Sequence, residues 1–181
     1  MAGERFYAAD ELSQVAINLF YGWGYNFYKV ENQLRADDQM VRSKASWLLG
    51  EAAKAVCLAE SDYRRELLPP PTRAKPFPDA EAVASAQKLE RLHREIVSLE
   101  QFIQQLPVPA NDRMTQRYRL EAPTLTKLIS FDSVLVGQCD LMRKSVTGVD
   151  PRTILKSLPD LEAGIAAIRL TLHDREAMLM N

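Results

Sequence analysis

Histidine is nearly absent from this sequence: His93 and His173 are the only two in 181 residues. Two imidazoles offer few bases for nucleophilic catalysis, and no Ser/His/Asp or Cys/His arrangement suggests itself, so no catalytic residue is assigned. Cysteine is equally scarce. Cys57 and Cys139 both fall in helical patterns and are expected to be buried free thiols in a reducing compartment, not a disulfide. Seven glycines, no Asn-Gly or Asp-Gly turn and no clean alternation of apolar and polar residues argue against a sheet. No apolar run reaches the roughly eighteen residues of a spanning helix. The charged start, MAGERFYAADE, has no apolar h-region, so neither membrane nor secretory leader is expected, and a cytoplasmic location is. An excess of charge of one sign is missing too. With 23 basic against 24 acidic residues the net charge is −1, which provides no long-range field for nucleic acid or anionic lipid.

What is present is ordinary globular composition, 46% hydrophobic and 26% charged, in a chain long enough to bury one core. Nearly every long segment fits a helical period. The expected fold class is all-α: a single-domain bundle, 1–181, of five or six helices. In it a helical hairpin, 10–67, is joined by a Pro-rich crossover, 68–78, to a second helical set, 79–181. The first helix is expected from Asp10, as N-cap, to about Arg35. The second, Asp38 to Leu67, is rich in small residues such as Ala45, Gly50, Ala52 and Ala59. A turn at Ala36–Asp38 is preferred over one long helix, and the aromatic first helix is the expected occupant of the small-residue groove.

Five prolines in LPPPTRAKPFP stop any helix and favour an extended connector, whose plain reading is a stiff crossover and whose functional one is a docking segment. Asp79 caps a third helix, in which Leu89, Leu92, Ile96, Leu99, Ile103 and Leu106 form a seam spaced by threes and fours. A short helix is expected at Arg113–Glu121. A fifth follows from Pro123 to Val146 and stops at Gly148, then a brief turn of helix comes after Asp150 and a last long helix from Pro159.

Several residues stand out as candidate sites. In Leu12–Leu34 one side carries Leu12, Val15, Leu19, Trp23, Phe27, Val30 and Leu34, and the opposite side Ile17, Tyr21, Tyr25 and Tyr28. A helix apolar on two faces must be covered twice. Gly22 and Gly24 interrupt it with no phosphate-loop context. Helix packing explains them first, a partner interface second and a flat ligand beside Trp23 third. Asp132 has Leu128, Ile129, Leu135, Val136 and Cys139 as helical neighbours, so its carboxylate needs a cationic or multi-donor partner. A structural ion pair is the plain reading, and a functional buried acid the sharper one. Arg113, Arg117 and Arg119, around Tyr118, form a basic concentration that could hold a phosphate, but flanking acids and the net charge disfavour nucleic acid. Glu90 and His93 have the Glu-x-x-His spacing of di-iron bundles, yet the second motif is missing and both lie beside the seam. No metal or cofactor is expected.

These patterns point to a non-enzymatic interaction or accessory protein that binds a protein partner and self-associates through the tyrosine face of the first helix. The alternative is a bundle holding a small apolar or planar ligand near the first and fifth helices, as sensor, carrier or enzyme, with Asp132 as polar anchor.

Overall fold

Asp79 and Asp150 start helices for the same reason: a carboxylate oxygen takes a backbone N–H that has no partner inside the helix. Asp79 accepts from the Glu81 N–H at 2.9 Å. Asp150 accepts from the N–H groups of Arg152 and Thr153 at 3.1 and 3.0 Å, with Pro151 in the first turn behind it. Hydrogen bonds from Thr153, its side chain foremost, hold the Asp150 carboxyl below its usual range. Just before it, Gly148 adopts φ +70°, the left-handed conformation that ends a helix at little steric cost.

The computed structural model describes residues 3–20, 34–73, 76–106 and 122–180. Among them run a 3-10 turn, Gly3–Tyr7, and six α-helices with no strand: α1 (Ala9–Phe20), α2 (Leu34–Leu67), α3 (Ala80–Gln105), α4 (Ala122–Val146), α5 (Pro151–Lys156) and α6 (Leu158–Met180). The fold class is therefore all-α. None of these helices is long and apolar enough to cross a membrane.

The longest contact joins α2 to α3. Seam residues Leu89, Leu92, Ile96, Leu99 and Ile103 are all buried, as are Ala45, Ala52, Ala53, Val56 and Ala59 of α2. Large side chains on one helix thus fill the space left by small ones on the other, each buried Leu or Ile contributing about 1.5–3 kcal/mol. The pair is antiparallel. Arg42 bonds to the Leu106 carbonyl, Ser46 to Gln104 and Arg64 to Glu90, so positions rise along α2 as they fall along α3. Residues 68–73 and 76–79 between them are non-helical, as five prolines require.

The second half of the core is organised by α4, which packs against α1, α2 and α6. Leu135, Val136, Cys139, Met142 and Val146 are buried, and Leu161, Ile165, Ile168 and Leu172 of α6 join them in one contiguous core. The N-terminal turn is pinned onto this layer. Gly3 N–H donates to Asp160 at 2.9 Å, the buried Gln138 amide donates to the Phe6 carbonyl at 2.9 Å, and the Phe6 ring rests over Gly164.

Four expectations change. The small-residue face of α2 accepts α3, while α1 packs chiefly on α4. The physical reason is Gly137: a Cβ there would come within 2.7 Å of the Leu12 carbonyl carbon and Cα, so the two backbones nearly touch where α4 has no side chain. On α1 the buried line is Leu12, Ala16 and Phe20, with Val15 and Leu19 half-buried beside it. Asp37 and Asp38 lie inside α2, so no turn falls at Ala36–Asp38. Finally, Cys57 is exposed and only Cys139 is buried. Cys57 sits one step past Val56 and is swung about 100° off the buried stripe. Burial, and then the nearby Asp140 charge, push the Cys139 thiol far above its ordinary range, so Cys57 is the thiol open to alkylation.

Candidate functional site

Of the residues assigned to a second face on the first helix, Ile17 is described and is 43% exposed. Tyr21, Gly22, Trp23, Gly24, Tyr25 and Tyr28 lie outside the described residues, as do Arg113, Arg117 and Arg119. Ile17 and Asp132 share no surface, since Asp132 is 1% exposed.

Asp132 has found its cation. Arg175, on the facing side of α6, donates from Nε to Oδ1 at 2.6 Å, with both side chains buried. This is the structural pair that the apolar surroundings of Asp132 require. The distant Arg143 serves another acid, Asp140, at 2.7 Å, and Lys144 reaches the same carboxylate at 2.8 Å. Asp140 is 1% exposed and was missed in the sequence. Its charge also acts on Lys44 of α2, a buried lysine whose pKa is lowered by burial and partly raised again by Asp140. Asp132 thus ties α4 to α6, whereas Asp140 is paired with two cations of its own helix and acts on Lys44 of α2 through its charge.

Between α1 and α4, where a ligand was considered, Leu12, Val15, Gly137 and Asp140 line a cavity of about 90 Å3. That space suits a few waters, and binding pockets for organic ligands run to roughly 300–1,000 Å3. Asp132 is not among its walls.

A larger feature runs between α3 and α6. One lobe, about 360 Å3, is lined by Leu99, Phe102, Arg169, His173 and Glu176. The adjoining lobe, about 490 Å3, is lined by Gln87, Arg91, Arg94, Glu95 and Arg169. Ser98 and Arg169 belong to both, so the lobes form one groove along α3 from Gln87 to Phe102, a span of about 22 Å at helical rise. Phe102 is 45% exposed although it stands one position before the seam residue Ile103, and Leu170 on α6 is also exposed. The charges are unequally engaged. Arg91 is tied to Glu95 and Arg94 to Glu90, whereas Arg169 makes no ion pair among the described residues.

The Glu-x-x-His pair has its own occupation. Glu90 accepts from Arg94 at 2.6 Å and from Arg64 of α2 at 3.1 Å, so its carboxylate bridges helices. Among the described residues no three His, Cys, Asp or Glu side chains cluster as metal ligands.

On α2, Trp47 is 54% exposed, with the Lys44 ammonium 4.6 Å from its ring centroid. It borders a cleft of about 660 Å3 against the end of α3. The polar floor of that cleft is bonded to itself, Gln104 donating to Ser46 at 2.7 Å and to Glu100 at 3.3 Å. Comparison with protein-family models, with curated proteins and with solved structures found no match to this chain.

Proposed function

We propose that this chain is a non-enzymatic interaction or accessory protein, acting in the cytoplasm, that binds a protein partner and self-associates. The observation that supports it best is the α3–α6 groove, whose lining joins the half-exposed Phe102 and Leu99 with an arginine that makes no ion pair among the described residues. A groove about 22 Å long suits roughly four turns of a partner helix. Phe102 and Leu99 would take an apolar side chain of that helix, and Arg169 a carboxylate about one turn away. Arginine suits the second task because its planar fork binds carboxylate bidentately. The exposed Ile17 is compatible with the first helix also taking part in self-association.

The test is photo-crosslinking in the source cell, with a benzophenone amino acid replacing Phe102. One discrete heavier adduct is expected, reduced about ten-fold when Arg169→Glu is added, because the partner carboxylate then meets a like charge. No adduct, or adducts indifferent to Arg169→Glu, would show that the groove does not hold such a partner.

A further inference from the structure

The outward face of α2 carries a pattern that stays exposed in the fold. Trp47, Glu51, Lys54 and Leu58 are spaced by four, three and four residues and are all exposed, so they fall within an arc of about 60°. Trp47 and Leu58, at 54% and 59% exposure, are among the most exposed large apolar side chains of the described residues. Glu51 and Lys54 lie between them, and neither makes an ion pair among the described residues.

The order along the helix is apolar, acid, base, apolar. Turned end for end, it becomes its own complement. A second α2 laid antiparallel would set Trp47 against the partner's Leu58 and Glu51 against the partner's Lys54, and the two-fold axis would repeat both contacts. The same register sets Ser43 level with the partner's Asp62 and Gln39 level with the partner's Glu66, so no like charges share those levels.

We infer that α2 is a homodimer surface, on which a second copy of this chain docks antiparallel about a two-fold axis at the level of Ala52 and Ala53. This rests on the self-association part of the proposed function and names its surface. A lone helix pair buries less than the roughly 1,200 Å2 of a standard stable complex, so the dimer is expected to dissociate on dilution.

Sedimentation velocity on the full chain, over a dilution series, tests it. The wild type should pass from dimer to monomer. Glu51→Lys and Lys54→Glu, each alone, place like charges opposite one another twice and should raise the dimer Kd about ten-fold. The double exchange Glu51→Lys with Lys54→Glu should restore it. Restoration is specific to this register, and circular dichroism confirms that exposed charge changes leave the helices intact. A wild-type dimer indifferent to the single variants, or not restored by the double, overturns the α2 surface while self-association stands. Ile17→Glu then asks whether the first helix carries it. A wild type that is monomeric at every concentration overturns both.

Discussion

Arg175→Met is expected to cost about 3–5 kcal/mol of folding stability, an effect that no surface arginine of this chain should match. The substitution keeps the length and much of the volume of the side chain while removing the charge. Asp132, 1% exposed, would then lose the guanidinium that approaches it to 2.6 Å. A carboxylate in that position must either stay charged without this partner or take up a proton, and both are unfavourable. Urea unfolding of the variant measures the loss through the shift in midpoint. Asp132→Asn should cost a comparable amount, and combining the two should cost clearly less than their sum, because both remove one interaction. Strict additivity would mean that the pair contributes little and that Arg175 matters for packing alone.

Gly137→Ala is the second large effect, and its sign is what makes it informative. In an ordinary helix this change stabilises by about 1 kcal/mol. Here the added methyl would press within 2.7 Å of the carbonyl carbon and Cα of Leu12, and still closer to its oxygen. These are backbone atoms of another helix and cannot rotate aside. Overpacking of this kind costs about 1–3 kcal/mol, and more where a whole helix must move. Thermal unfolding should therefore show Gly137→Ala less stable than wild type, with α1 released or displaced from α4. An unchanged or raised Tm would mean that α1 does not approach α4 so closely.

The features legible in the sequence were those whose cause lies within a few residues. The seam from Leu89 to Leu106 is buried throughout, and Asp79, Asp150 and Gly148 cap or stop helices as their chemistry requires. The burial of Asp132 could be read from its apolar helical neighbours. Its partner could have been read too. The stripe Ile165, Ile168, Leu172 continues through Arg175 before Leu179, so an arginine stands where the spacing asks for an apolar residue.

Choices between elements were not legible. Which helix fills the small-residue groove of α2 is settled by pairing among several helices with similar apolar faces, and α3 with its seam of leucine and isoleucine takes it in place of α1. The role of Gly137 depends on Leu12, distant in sequence, and leaves no local trace. Cys57 was misplaced because one residue of phase separates it from Val56, an error that helical periodicity alone tolerates. The α3–α6 groove was invisible for a related reason: Arg169 and Phe102 look like ordinary flank residues until two helices bring them to one surface.

Native mass spectrometry of the chain purified from its source cell tests most directly the claim that it works by binding proteins. The expected masses are multiples of the 20.5 kDa chain, or the chain with a second polypeptide, without added small-molecule mass. A 20.5 kDa monomer carrying one stoichiometric small molecule or metal ion would contradict that claim.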